Sequence, residues 1–166
     1  MVLRMLGLAG GVAGAAVLSQ FPEFSQQYLQ RLAGQVDALT LVTGDFDASA
    51  EKANLSREDA LAAMSGTEFL GYRQDDMRRA FGRLERLSSD LTILREAGPV
   101  ERIGMPQRFG DAETFAATWS DFAPAMPVTS SGAITAGVGF VGGWAGVAVV
   151  LSFLTAPFRR RRARHG

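Results

Sequence analysis

From Ser130 to Phe158 the chain carries no charged side chain, and this stretch constrains the fold more than any other feature of the sequence. A helix needs about 20 apolar residues to cross a hydrocarbon core that is about 30 Å thick. The run GVGFVGGWAGVAVVLSFLTAPF is long enough to do so. We therefore predict a transmembrane helix over residues 129–158, followed by a basic tail over residues 159–166.

A second apolar segment lies near the other end of the chain. Residues 5–21 (MLGLAGGVAGAAVLSQF) are uncharged but form a shorter run, directly after Arg4. A basic residue, a short apolar core and small residues around Ala13 to Ala16 are also compatible with a signal peptide. Of the two alternatives we expect an uncleaved anchor, which makes residues 1–21 the first transmembrane helix.

Positive charge is concentrated at the two ends of the chain. Arg4 and the tail arginines are six of the 17 basic residues, and all 17 acidic residues lie between them. Because basic residues that flank a span stay in the cytoplasm, we expect both termini on the cytoplasmic side of a bacterial inner membrane and residues 22–128 in the periplasm. The tail arginines serve as a topology anchor or bind anionic lipid headgroups; they are Arg159, Arg160, Arg161, Arg162 and Arg164.

The segment between the two apolar runs has helical periodicity. Apolar residues recur at steps of three or four between Phe21 and Phe46, which predicts a long helix over about residues 22–48. A seven-residue repeat of apolar residues predicts a second long helix over about residues 67–97, capped by Thr67. We expect the two to pair as an antiparallel hairpin with a coiled-coil seam.

Two short helices complete the middle segment. Ser56 and Asp59 have the spacing of a capping box and predict a helix over about residues 56–64. A helix over about residues 111–122, with Asp111 as its cap, carries three aromatic residues at steps of four and three: Phe115, Trp119 and Phe122. Aromatic rings favour the headgroup level of a membrane, which indicates an interfacial helix. Packing of the three rings beneath the long helices is the alternative.

Each apolar segment carries overlapping pairs of glycines that are four residues apart. The eight glycines are Gly7, Gly10, Gly11 and Gly14 in the first segment and Gly139, Gly142, Gly143 and Gly146 in the second. In lipid, helices associate by close backbone approach over small residues. These faces pack the two spans of one chain together, or at least one of them joins neighbouring chains.

The sequence offers little for catalysis or for metal binding. Cysteine is absent and His165 is the one histidine, which excludes thiolate sites and leaves no imidazole pair. The glycines follow neither a phosphate loop nor a dinucleotide fingerprint. Basic and acidic residues alternate between Arg73 and Asp90, as on a solvated helix face. We therefore expect no catalytic residue, no metal, no cofactor and no nucleic-acid partner.

Two segments also carry a resemblance to a known family. They are SQFPEFSQQYLQRL, which follows the first apolar run, and ATWSDFAPAMPVTSSGAITAGVGFVGGW, which leads into the second. They resemble an uncharacterised family of small two-span proteobacterial inner-membrane proteins that is known only as a domain of unknown function. The resemblance covers nearly the whole chain and implies a two-span architecture but no activity.

These observations predict an all-α membrane protein whose two transmembrane helices flank an extracytoplasmic antiparallel helical hairpin. For its function we predict a non-enzymatic structural protein that self-assembles or scaffolds within the lipid bilayer, as a homo-oligomer or with other membrane-protein subunits. The alternative is an accessory subunit of a larger respiratory, photosynthetic or transport complex. An oligomeric pore ranks last, because a pore needs polar residues along its spans.

Overall fold

A computed structural model describes residues 2–124 and 130–162, with side chains for residues 4–124 and 130–153. Its helices are α1 (Val2–Ser19), α2 (Phe21–Lys52), α3 (Arg57–Ala63), α4 (Glu68–Glu96), α5 (Ala112–Asp121) and α6 (Ser130–Arg162), and the described residues contain no strand. Two stretches, Arg4–Lys52 and Ser130–Phe153, include a run long and apolar enough to cross a membrane by length and composition. The all-α class and the two candidate spans are therefore confirmed.

A single residue, Gln20, separates α1 from α2. Its backbone N–H donates to the Val17 carbonyl at 3.2 Å, and its carbonyl accepts from the Phe24 N–H at 3.0 Å, so hydrogen bonding is nearly continuous across the break. Pro22 lies in the first turn of α2, where proline is tolerated because its nitrogen needs no partner within the helix.

The predicted caps are present at α3 and α4. Ser56 accepts from the backbone N–H of Asp59, and Thr67 accepts from the N–H of Leu70. Helix α2 runs four residues beyond the predicted 22–48 because its stop signal lies later. Asn54 takes a positive φ of 57°, and the N–H of Leu55 reaches back to the Ala50 carbonyl at 2.9 Å. This is the left-handed termination that asparagine tolerates better than most residues.

The chain divides into two compact units. One contains residues 1–26, 99–104 and 122–166, and the other contains residues 27–98 and 105–121. In the first unit, α1 packs on α6, and the rings of Phe24 and Phe122 meet edge to face at 5.6 Å. Arg102 is buried there and donates to the Ser25 hydroxyl at 3.4 Å.

The second unit is built around the aromatic ring of Tyr28. Tyr28 is fully buried and its ring lies 4.8 Å from that of Phe109, which follows α4 in a short 3-10 helix, Pro106–Phe109. The C-terminal half of the predicted heptad stripe contributes to this core through Leu87, Leu91 and Leu94. Full-length antiparallel pairing of α2 with α4 and a coiled-coil seam stay predictions. The 3-10 helix itself was missed, although proline in its first turn is the sequence signal for it.

Helix α6 does not stop at the predicted end of the second span. It continues through Pro157 as far as Arg162, so Phe158 is not a helix boundary. Arginine is a good helix former, and the basic tail begins as a direct extension of the apolar helix. Arg164, the last of the predicted tail arginines, lies outside the described residues.

Candidate helix-packing and interfacial surfaces

Helices α1 and α6 pack antiparallel through a backbone contact between glycines. A Cβ on Gly139 would stand 2.7 Å from the carbonyl carbon of Gly14 and closer still to its oxygen, and a Cβ on Gly143 would stand 2.9 Å from the carbonyl carbon of Gly10. Because a Cα–H bond of glycine occupies the direction of that Cβ, it points at the carbonyl oxygen of the opposite helix. Such Cα–H···O contacts are typical of close helix crossings.

The two remaining glycines of α1 receive aromatic rings of α6. The indole of Trp144 lies over Gly7, 2.9 Å from where a Cβ would stand, and the ring of Phe140 lies over Gly11 at 2.8 Å. All four glycines of α1 thus face α6 within one chain. Sequence reasoning missed the two rings as their partners, because nothing in the spacing of either segment pairs them.

Helix α6 also has glycines that the contact with α1 leaves open. A Cβ on Gly142 or Gly146 would meet nothing within 4 Å among the described residues, and the same holds for Gly137. Val138 and Val149, at neighbouring positions of the helix, are exposed. We call the surface of Val138, Gly142, Gly146 and Val149 the open glycine face. Of the predicted packing glycines, six meet within the chain and the two on this face do not.

Three hydroxyl groups in the apolar helices donate to backbone carbonyls of their own helices. Ser19 donates to the Ala16 carbonyl at 2.9 Å, Thr135 to the Gly132 carbonyl at 3.0 Å and Ser152 to the Ala148 carbonyl at 2.7 Å. This back-bonding is the usual way in which an apolar helix accommodates serine and threonine.

Helix α5 turns polar side chains inward and aromatic side chains outward. Thr114 and Thr118 are each 1 % exposed, whereas Phe115 is 39 % and Trp119 is 66 % exposed. The rings of Phe115 and Trp119 stack with their centroids 6.4 Å apart and their planes 6° apart. Phe122, the third predicted interfacial residue, lies in the other unit against Phe24.

Asp111 fixes the inward side of α5. Its carboxylate accepts from the backbone N–H and the hydroxyl of Thr114, at 3.0 and 2.7 Å, and from Arg83 at 3.0 Å. Burial acts to raise the pKa of Asp111, but these hydrogen bonds and the Arg83 charge outweigh it and lower the pKa below the usual value. Asp111 thus caps α5, as its position in the sequence predicted, and also ties the helix to α4.

Further ion pairs lie elsewhere in the second unit. At an open depression beside the turn between α2 and α3, Arg57 donates twice to Asp47, at 2.8 and 2.6 Å, and lies 4.1 Å from the centroid of the Phe81 ring. Asp90 accepts from Arg108 at 2.9 Å. Within the described residues no group of three or more acidic or histidine side chains is placed to hold a metal ion.

The predicted tail arginines fall at the end of α6. Arg159, Arg160, Arg161 and Arg162 belong to the helix by their backbone, and Arg164 lies outside the described residues. They prolong the same helix that carries the open glycine face.

The comparisons with known proteins give a family and no activity. A family model described as "Protein of unknown function (DUF2937)" matches residues 2–160. No curated protein and no solved structure matches the chain.

Proposed function

The chain belongs to the DUF2937 family of proteins of unknown function, and on that premise we propose that it is a non-enzymatic structural membrane protein that assembles with further copies of itself. The proposal rests on the two glycine faces of α6, of which only one contacts another helix among the described residues. One glycine face is filled by α1 of the same chain, and the open glycine face has no partner within the described residues. The partner that we assign to it is α6 of a second copy.

The exposure of the apolar helices supports a location in lipid. In the most apolar windows of the two candidate spans only 17 % and 11 % of the residues are buried. An apolar helix that belonged to the core of a soluble domain would be buried instead, because exposed apolar surface costs about 25 cal/mol per Å² in water. Side chains such as Val12, Val141 and Phe153 are 58–77 % exposed. Lipid is the solvent in which this exposure is stable.

The charge distribution supports the proposed topology. Arg4 precedes the first span, and the tail arginines follow the second. Under the rule that flanking basic residues stay in the cytoplasm, both termini are cytoplasmic and the central segment is periplasmic, in the inner membrane of a bacterium. The tail arginines then lie where anionic headgroups are available, and they hold the end of α6 at that surface.

The proposed topology also sets the geometry of the assembly. Two copies inserted in the same direction place their α6 helices parallel, in contrast to the antiparallel contact of α1 and α6 within a chain. Glycines four residues apart with valines on either side, as at Val138, Gly142, Gly146 and Val149, allow two such backbones to approach closely. The alternative, an accessory subunit, would use the same face against a different protein.

A pore is less well supported. A conducting path needs polar groups that line the spans, and the hydroxyls of Ser19, Thr135 and Ser152 donate to carbonyls of their own helices. Several acidic and basic groups of the second unit form ion pairs, such as Arg57 with Asp47 and Arg108 with Asp90. A structural role therefore fits the described side chains better than transport or catalysis.

The test is the oligomeric state of glycine variants in mild detergent, measured by size-exclusion chromatography with light scattering. We expect Gly142→Leu combined with Gly146→Leu to convert a defined homo-oligomer into a monomer. Gly137→Leu is the matched control, because Gly137 is equally open but lies on the far side of α6 at about 3.6 residues per turn. It should leave the oligomer intact.

Two results would contradict the proposal. An unchanged mass for the double variant would show that the open glycine face does not join copies. A wild-type chain that is monomeric by itself and purifies with other subunits would identify the accessory role.

A further inference from the structure

We propose that the aromatic side of α5 inserts into the headgroup layer of the bilayer on the periplasmic side, with Phe115 and Trp119 as its contacts. This inference rests on the proposed membrane location and names the surface that the second unit applies to the lipid. We call the exposed residues Phe115, Ala116 and Trp119 the aromatic face of α5.

The distribution of buried and exposed side chains on α5 supports this inference. A helix on the surface of a water-soluble domain turns its apolar stripe inward and its polar side outward. Helix α5 departs from this pattern: the buried positions are Thr114 and Thr118, whereas Phe115 and Trp119 are exposed. Polar residues are exposed on α5 as well, namely Glu113, Ser120 and Asp121. The arrangement is stable where the medium outside the helix is less polar than water.

The chemistry of the two rings distinguishes the headgroup layer from the hydrocarbon core. Tryptophan combines a large apolar ring with an indole N–H donor, and it is enriched where an apolar and a wet phase meet. Phe115 and Trp119 stack with nearly parallel ring planes and form one continuous apolar patch on the exposed side of α5. Such a surface suits the boundary between headgroups and acyl chains.

The charges beside the aromatic face do not oppose an anionic surface. The three acidic residues of this region, Asp111, Glu113 and Asp121, each have an arginine partner. Arg83 bridges Asp111 at 3.0 Å and Glu113 at 2.7 Å, and Arg31 pairs with Asp121. Paired carboxylates repel lipid phosphates less than free ones do, since the arginine cancels their charge at close range.

The length of chain that follows α5 keeps this helix near the membrane. Eight residues, 122–129, separate the end of α5 at Asp121 from the start of α6 at Ser130. Even a fully extended chain spans at most about 3.6 Å per residue. Under the proposed topology, Ser130 lies at the periplasmic end of the second span, so α5 is within reach of the surface that α6 enters.

The two tryptophans of the chain provide the experiment, because Trp119 lies on α5 and Trp144 lies within the second span. The full chain is reconstituted into vesicles of phosphatidylethanolamine and phosphatidylglycerol that contain lipids with a quencher at defined depths. Trp144→Phe leaves Trp119 as the single emitter, and Trp119→Phe leaves Trp144. We expect shallow quenchers to act best on Trp119 and deep quenchers to act best on Trp144.

The two tryptophan variants distinguish a failure of this inference from a failure of the membrane proposal. Quenching of Trp144 without any lipid quenching of Trp119 would overturn this inference and leave the membrane proposal standing; acrylamide would then show whether water or a protein partner covers Trp119. Absence of lipid quenching of both tryptophans would overturn the membrane proposal and this inference together.

A second measurement leaves both rings in place. The chain has no cysteine, so Ala116→Cys places one environment-sensitive dye on the aromatic face, and Ala62→Cys places the same dye on an exposed position of α3 as the matched control. On addition to vesicles we expect the Ala116 label to shift to shorter emission wavelengths more than the Ala62 label. Equal shifts would contradict a specific contact of α5 with lipid.

Discussion

The contact of α1 with α6 makes a quantitative prediction for Gly139→Ala. The new methyl group would stand 2.7 Å from the carbonyl carbon of Gly14, whereas ordinary van der Waals contact begins at 3.4 Å. The two helices must therefore separate by at least about 0.7 Å, because the neighbour is backbone and has no rotamer to change. Overpacking of this kind costs about 1–3 kcal/mol.

Gly137→Ala is the matched control. It adds the same methyl group to the same helix, two residues away, where nothing lies within 4 Å among the described residues. A change from glycine to alanine in open helix lowers the entropy of the unfolded chain and stabilises by about 0.4–1 kcal/mol. We therefore expect the two variants to change the free energy of unfolding in opposite directions.

The assay uses Trp144, whose ring lies against Gly7 at the same interface. With Trp119→Phe as the background, the emission of Trp144 follows the separation of α1 from α6 during unfolding by SDS in mixed micelles. Equal free energies of unfolding for the Gly139→Ala and Gly137→Ala variants would refute the glycine contact as the basis of this pairing.

Three further predictions concern the second unit, each tested by chemical denaturation of the full chain in detergent. Tyr28→Phe should not lower the free energy of unfolding, because the buried hydroxyl lies near the backbone of Asp111 but makes no well-formed hydrogen bond among the described residues; a loss of stability would show that the contact with Asp111 is a genuine hydrogen bond. Thr67→Ala should cost about 1 kcal/mol through loss of the cap on the Leu70 N–H, and Thr67→Ser, which keeps the hydroxyl, should retain most of the stability. Because the pKa of Asp111 is lowered in the folded protein, Asp111 stabilises the fold fully above the unfolded-state pKa near 3.8, and this stabilisation is lost as the pH falls below that value. Asp111→Asn should therefore reduce the loss of stability at acid pH. An unchanged loss would rule out Asp111 as its source.

Several features of the fold follow from local rules and were therefore predictable. The uncharged run from Ser130 is long enough to fix a helix regardless of its neighbours. Ser56 and Thr67 start their helices because a side-chain oxygen satisfies an N–H only a few residues along the chain. The exact end of α2 was not predicted, since an asparagine at positive φ is a weaker signal than a glycine.

Sequence by itself determined that the chain is helical, that two of its stretches are apolar enough to cross a membrane, and which residues share a helix face. Only the tertiary structure decided what each face meets: Gly139 faces Gly14, Gly142 meets nothing within 4 Å among the described residues, and α5 buries threonines rather than aromatics. The reason is physical. Periodicity is set by the geometry of one helix, but the packing partner of that helix can lie far along the chain, as for α1 and α6, and is selected by the fit of two surfaces that no local pattern encodes.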